Sequence, residues 1–247
     1  MHFKILISPA KNLKKQVYND PDRLSIPQFL SEAKLVHRAL LKCNHSTLVD
    51  LMGISPKLAS ESKQMIKQWD HNFLYRAIEL FDGEAYRGFD VQSLSAEHQD
   101  NLENRLRILS GFYGILRPSD LIAPYRLEMK TKLPVKKANN LYEFWGDKIA
   151  KHLRKDADFL VNLASDEYSK VVLPFWDKNK VLTPVFMEEN NGNPKIVMMY
   201  AKNARGKMAR FIIENHIESI DDIQGFDIDR YRFSSQLSDA NRWVFIR

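Results

Sequence analysis

The sequence predicts a single α+β domain built around a mixed β-sheet. Three observations carry that expectation. Apolar runs over residues 3–8, 158–163, 181–186, 196–200 and 243–246 have the length of strands. Segments over 31–41, 142–155 and 202–217 place apolar residues at helical spacing, so that helices and strands are interspersed in mixed order. No repeat, low-complexity tract or separating linker breaks residues 1–247, which therefore read as one domain.

Residues 3–8 form an apolar run stopped by Pro9, the signature of a buried first strand. Ala33, Val36 and Leu40 mark a helix over 31–41, and a further helix starts at Pro56 and runs to about Trp69. Gly83 and Gly88 bracket a polar, aromatic turn, and a helix is expected over 96–106. Residues 109–134, with two glycines and three prolines among many charges, read as strands and ordered loops. In 142–155, Tyr142, Trp145, Ile149 and Leu153 share one helical face, while Lys148, Lys151, Arg154 and Lys155 crowd the other. Asn190, Asn191, Gly192 and Asn193 are expected to join strands 181–186 and 196–200 as a hairpin. A helix over 202–217, an acidic turn and a last strand over 243–246 complete the chain.

Composition sets limits on function. The 247 residues are 44% hydrophobic and 28% charged, ordinary for a soluble globular protein. A net charge of +6 and a pI near 9.2 favour anionic partners. The one cysteine, Cys43, precludes an internal disulfide and fits a reducing cytoplasm. The first apolar run is too short for a signal peptide, and no run approaches a membrane span, so a cytoplasmic protein is expected. Scattered histidines give no metal-ligand spacing, and neither metal nor cofactor is expected. There is also no P-loop, no G-x-G-x-x-G and no G-x-S-x-G, which takes away most of the support for the standard nucleotide-binding and hydrolase classes.

Four segments could carry chemistry. LMGISPKLASESKQ, residues 51–64, has the outline of a helix-hairpin-helix element spanning about 47–68. Gly53 permits the sharp turn, Ser55 stands where such hairpins usually have a second glycine, and amides near the Pro56 helix start, with Lys57, suit a phosphate. Ser55 as N-cap and Pro56 at the first helical position would equally make an ordinary helix–turn–helix corner. AKNARGKMARF, 201–211, places Lys202, Lys207 and Arg210 on one helical side with Arg205 at its border. Gly206 within that helix costs about 1 kcal/mol relative to alanine, which points to something packed closely against it. In YRLEMKTKL a period of two puts Arg126, Glu128, Lys130 and Lys132 on one face, opposite Leu127, Met129 and Leu133. This pattern suits either an anion-facing strand or a charged edge strand. NLASDEYSK follows a strand, with Ser165 as N-cap and Asn162 an amide that needs partners if buried.

These stretches also carry a resemblance. ISPAK at 7–11, RILSGFYGILRPSDLIAPYRLEMKTKL, LYEFWGDKI, VNLASDEYSK, LTPVF, YAKNARGKMARFIIEN, FDIDRYRF and WVFIR are similar, in this order, to the YaaA peroxide-stress family. The resemblance implies a cytosolic bacterial protein made in response to hydrogen peroxide. It also implies a family-specific α+β fold with a basic cleft, a helix-hairpin-helix and DNA-binding activity, and an association with lowered free iron without known iron ligands. Lys130 stands where the family usually has glycine, and Glu84-Ala85 where it has Asp-Val.

The expected function is sequence-nonspecific binding of DNA, duplex or damaged and branched, by a monomer. Gly53, Ile54, Ser55 and Lys57 would grip the backbone at the hairpin, and Lys11, Arg117, Arg126, Lys132, Lys202 and Arg205 would line the cleft. One alternative is a lyase or glycosylase acting on damaged nucleic acid. Its candidate catalytic groups are Lys202, Glu128, Lys11, Tyr125 and Glu167, in a cleft that also holds Arg117 and Asn162. A second alternative is sequestration of iron.

Overall fold

A computed structural model describes residues 2–14, 24–69, 75–190 and 192–247. The strands are β1 (Phe3–Ile7), β2 (Asn12–Leu13), β3 (Tyr75–Arg76), β4 (Phe81–Asp82), β5 (Leu106–Ser110), β6 (Gly114–Leu116), β7 (Leu121–Ile122), β8 (Phe159–Asn162), β9 (Val181–Met187), β10 (Arg232–Ser234) and β11 (Arg242–Ile246). The main sheet has the order β10-β11-β9-β8-β1-β5-β6, and β2 with β4 and β3 with β7 form two small pairs. β11, β9, β8, β1 and β5 run parallel, and β10 and β6 close the sheet as antiparallel edges. The expected α+β chain with a mixed sheet is therefore present.

The helices are α1 (Leu30–Leu41), α2 (His45–Met52), α3 (Pro56–Gln68), α4 (Ala77–Leu80), α5 (Glu84–Phe89), α6 (Gln99–Arg105), α7 (Leu141–Trp145), α8 (Lys148–Leu153), α9 (Asp166–Ser169) and α10 (Met198–Glu214). β1 is buried at all five positions because neighbours pair on both edges and the fold covers both faces, which is why FKILI is continuously apolar apart from Lys4. Pro184 is tolerated inside β9 because pairing with β8 ends at Leu182, whereas β11 pairs beyond it. Trp69, Phe112, Tyr113 and Tyr125 pack together on one side of the core, and Phe186, Phe226, Tyr231 and Phe245 do so near the other edge.

Four elements differ from expectation, each for a physical reason. Residues 196–200 are not a strand: α10 starts at Met198, and Ile196, Met198, Met199 and Tyr200 are exposed, so the apolar run does not mark burial. Only a bridge between Glu188 and Lys195 remains of the expected hairpin, and Asn191 lies outside the described residues. The helix expected over 142–155 is two, divided at Gly146, whose φ of +49° and ψ of −130° an α-helix does not accommodate. The helix expected over 96–106 gives its last residue to a strand, since Leu106 opens β5. Finally, Arg126 to Leu133 lie outside the ladders, yet Leu127, Met129 and Leu133 are buried while Lys130 and Lys132 are exposed. The period of two survives there in a chain that contributes no strand.

The sheet direction defines the site. From β1 the chain moves to β5 on one side, then returns across β1 to β8 and proceeds outward through β9 and β11. The order thus reverses at β1 and β8, a switch point of the kind beside whose carboxyl ends parallel sheets take ligands. α10 is held over this region by backbone-close packing on α5. A Cβ on Gly206 would lie 1.8 Å from the Ala85 carbonyl oxygen, and one on Gly88 would lie 2.2 Å from that of Asn203. The glycine expected to mark a close approach does so.

Candidate functional site

Three strand ends supply the framework. Ser8 follows β1, Ser165 follows β8 by three residues, and Ser110 ends β5. The Ser8 hydroxyl donates to Ser165 Oγ at 3.2 Å and accepts from the Ser165 amide at 2.9 Å. Ser165 occupies the N-cap of α9 but makes no side-chain capping bond, so its hydroxyl is engaged by Ser8 rather than by the expected cap. Tyr86 on α5 donates to the Ser8 carbonyl at 3.1 Å, which ties α5, and through it α10, to the end of β1. Asn162 finds the partners its burial requires, accepting from the Ala164 amide and donating to Thr183 Oγ1.

Around this framework lies a charged quartet. Lys11 contacts Glu128 at 2.5 Å, and Lys130 lies 3.1 Å from Glu128 and 3.7 Å from Glu167. The Lys130 amide also donates to Glu167. Burial pushes the Glu128 carboxyl up, but the hydrogen bonds and charges of Lys11 and Lys130 outweigh it and hold its pKa below the ordinary carboxylate value. Lys130, the residue in place of the family's usual glycine, therefore neutralises two carboxylates rather than adding a free charge. Tyr142 donates to the Glu167 carbonyl at 2.7 Å and fixes this corner from α7.

The tyrosines lie deeper. Tyr125 is buried and shares a 2.7 Å hydrogen bond with Ser110, whose oxygen also accepts from the amides of Phe112 and Tyr113. Burial raises the Tyr125, Tyr86 and Tyr168 hydroxyls above their ordinary values. All three remain protonated at neutral pH. Tyr125 is thus a buried side chain whose hydroxyl is engaged by Ser110.

The expected site residues divide. Lys11, Glu128 and Glu167 come together, joined by Lys130. Arg205 feels the charge of Asp166, directly beside Ser165, and belongs to the same end of the sheet. Lys202 is exposed one turn before it on α10. Lys207 and Arg210, expected to share a free basic face with Lys202, are engaged: Lys207 with Asp229 at 2.6 Å, and Arg210 with Glu214 at 2.7 Å and the Phe89 and Asp90 carbonyls.

Arg117 does not join this cluster. β6 runs antiparallel to β5, with Leu116 opposite Ile108, so the chain after it returns toward the amino ends of the parallel strands. There Arg117 Nε lies 3.4 Å from Asp120 and 3.8 Å from Glu103, on a cavity of about 120 Å³ also lined by Arg107, His152 and Asp156.

The hairpin forms as a helix–turn–helix corner. Gly53 caps α2 with φ +59°, and Ser55 caps α3 by accepting from the Leu58 amide at 3.3 Å, with Pro56 at the first position. The glycine serves the left-handed turn alone, because a Cβ there would meet nothing within 4 Å. Ile54 is half-buried, Ser55 and Lys57 are exposed, and α3, with Ala59 and Ile66 buried, meets α1, whose His37 ring shares a hydrogen bond with the Ile66 carbonyl.

Among the described residues no group of three or more His, Cys, Asp or Glu side chains is placed to hold a metal ion. No helix among them is long and apolar enough to cross a membrane. The Ser8–Ser165 pairing, 157 residues apart, and the charge of Asp166 on Arg205 escaped sequence reasoning. The one available signal was that SPAK and ASDE each follow an apolar run.

The relatives agree with this whole-chain pattern. The family model described as "Peroxide stress protein YaaA" matches residues 3–237. A UPF0246 protein of Flavobacterium johnsoniae is 41% identical over 99% of this chain and 100% of its own length. A UPF0246 protein of Idiomarina loihiensis is 41% identical over 98% of this chain and 97% of its own. One from Clostridium perfringens is 40% identical over 98% of both. With the family model spanning nearly all of β1 to β10 and full-length relatives at this identity, the chain belongs to the YaaA family of peroxide stress proteins.

Proposed function

We propose that this peroxide stress protein binds duplex DNA through its phosphate backbone, without reading sequence. The observation that carries the reading is a division among the cations near the carboxyl end of the sheet. Lys11 and Lys130 are matched by Glu128 and Glu167, whereas Arg126, Lys132, Lys202 and Arg205 make no ion pair among the described residues. Unmatched cations on a protein of net charge +6 attract a polyanion and release its counterions. The exposed corner at Gly53, Ser55 and Lys57 offers a second phosphate contact at a helix start.

Chemistry on DNA through a Schiff base has less support. Such a lysine needs surroundings that remove its proton near neutral pH. Lys202 is exposed, and the Lys11 side chain is 71% exposed and engaged by the Glu128 carboxylate.

Fluorescence anisotropy with two unrelated duplexes of equal length tests the reading. Equal affinities, weakened in both Lys202→Gln and Lys57→Gln, are expected. A strong preference for one sequence, or no duplex binding at low salt, would overturn it. Borohydride trapping on abasic duplexes, with Lys202→Arg as control, tests the lyase: a covalent adduct lost in the variant would replace binding by catalysis.

A further inference from the structure

Two histidines meet at the end of α10 farthest from Lys202. His98 closes a 3-10 turn over Ala96–His98, immediately before α6, and His216 stands two residues after α10. His98 Nδ1 and His216 Nε2 lie 3.1 Å apart, with ring centroids 5.1 Å apart and ring planes inclined at 47°. The pair joins positions 118 residues apart, so no local spacing of histidines announces it.

One neutral ring donating to the other accounts for the contact in the metal-free chain. The surroundings add more than a hydrogen bond needs. Two imidazole nitrogens on one tetrahedral ion, each about 2.0–2.1 Å from it, stand about 3.3–3.4 Å from each other. The observed separation is within a few tenths of an ångström of that. The other nitrogen of His98, Nε2, lies 3.4 Å from Glu97 Oε1, and that oxygen accepts from the Ser95 hydroxyl at 3.1 Å. A carboxylate on the far nitrogen fixes the tautomer that leaves Nδ1 free to bind, as it does behind metal-bound histidines. His216 holds φ at +48°, a left-handed conformation uncommon outside glycine. It follows the carbonyl end of α10, where the negative pole of the helix dipole favours a cation. Asn101 on α6 donates to the Ile213 carbonyl at 2.6 Å, so the elements that carry the two rings are already bonded to each other.

We propose that His98 and His216 together ligate one divalent transition ion of the zinc and copper class, with Glu97 as the positioning carboxylate behind His98 and water completing the coordination. His98 is partly buried and His216 is exposed, which leaves the remaining positions open to solvent. Two protein ligands with open positions make an exchangeable site rather than a closed structural one. Imidazole nitrogen selects the later first-row ions, whereas Mg2+ and Ca2+ prefer oxygen. Fe2+ stands below Zn2+ and Cu2+ in affinity for such ligands, which separates this site from the sequestration of iron. Bound there, the ion links the end of α10 to the start of α6 and stabilises the folded state by mass action.

The full chain, first treated with a chelator, should be titrated calorimetrically with zinc sulfate, then with Cu2+ and Mg2+. Saturable one-site zinc binding is expected, lost in His98→Gln and His216→Gln and weakened about tenfold by Glu97→Gln. Cu2+ should bind more tightly than Zn2+, and Mg2+ should not bind. Zinc should raise the Tm of the wild type and leave that of His216→Gln unmoved. His216 is exposed, so its variant keeps the test readable even if His98→Gln fails to fold. Cys43→Ser and His45→Gln, at other places in the fold, should keep the zinc affinity. Absence of saturable binding at millimolar zinc, binding indifferent to His216→Gln, or binding lost in Cys43→Ser or His45→Gln would overturn the proposal. These titrations contain no DNA, so they stand or fall apart from the duplex-binding reading.

Discussion

The two ends of the parallel sheet are both rich in charge and use it differently. At the amino end, Lys4 lies 3.0 Å from Asp156, Arg107 lies 3.6 Å from the same carboxylate, and Arg117 reaches Glu103 and Asp120. Arg107 is buried and also donates to the carbonyls of Glu103 and Leu106. Burial lowers the pKa of Lys4, Arg107 and His152 there, although Asp156 counteracts it in all three. At the carboxyl end, the quartet of Lys11, Glu128, Lys130 and Glu167 is balanced, and Lys202 and Arg205 are left over. Cations with carboxylates and carbonyls around them hold a fold; on the proposed reading, those without them are the ones that take a ligand. Charge counting along the sequence cannot tell the two apart.

The largest effect that would break this contrast lies in the platform of the carboxyl end. Gly206→Ala drives a methyl into the Ala85 carbonyl, and a cost of about 3 kcal/mol is expected, read as a lowered urea midpoint. A midpoint unchanged from wild type would mean that α5 and α10 are not held in contact. At the amino end, Arg107→Ala should lose about 2 kcal/mol, since two carbonyls and Asp156 lose their donor. The folded variant should keep its DNA affinity. Lys202→Gln should do the reverse, moving stability by less than about 0.5 kcal/mol while weakening duplex binding. If the two variants exchanged these phenotypes, the division of labour between the ends would be wrong.

A smaller effect sharpens the account of the quartet. The folded pKa of Glu128 is depressed, so its contribution to stability is present above the ordinary carboxylate value and disappears as pH falls through the folded value. Glu128→Gln should therefore cost under about 1 kcal/mol near neutrality, for a partly exposed pair, and nothing once the wild-type carboxyl is protonated. Melting curves of both proteins from pH 7 to pH 3 should converge at the acid end. The same substitution frees Lys11, leaves Lys130 with Glu167 alone and should tighten duplex binding; curves that stay parallel, or weaker binding, would remove the quartet from this role.

Much of the fold was legible. Four of the five expected strands, at Phe3–Ile7, Phe159–Asn162, Val181–Met187 and Arg242–Ile246, hold as read; near-continuous burial forces continuous apolarity in the first two, whereas the last two are only partly buried yet still apolar. The run at Ile196 to Tyr200 misled because it is apolar and exposed, and a short run does not by itself distinguish strand from helix. Residues 126–133 taught the converse, since alternation reports burial rather than hydrogen-bonded pairing. In the site, Lys11, Glu128 and Glu167 were found individually from their segments. What joins them, and what separates Arg117 from them, is the reversal of strand order at β1 and β8, a long-range property that no local spacing encodes.

The central claim is that unmatched cations at the carboxyl end of the sheet grip the DNA backbone, and the salt dependence of duplex affinity tests it most directly. For a contact of about five phosphates, log K should fall with log salt at a slope of about −4 to −5. Lys202→Gln should make that slope shallower by about 0.9, and Arg117→Gln should leave it unchanged. A flat salt response in the wild type, or a slope that Arg117→Gln reduces as much as Lys202→Gln, would contradict the claim.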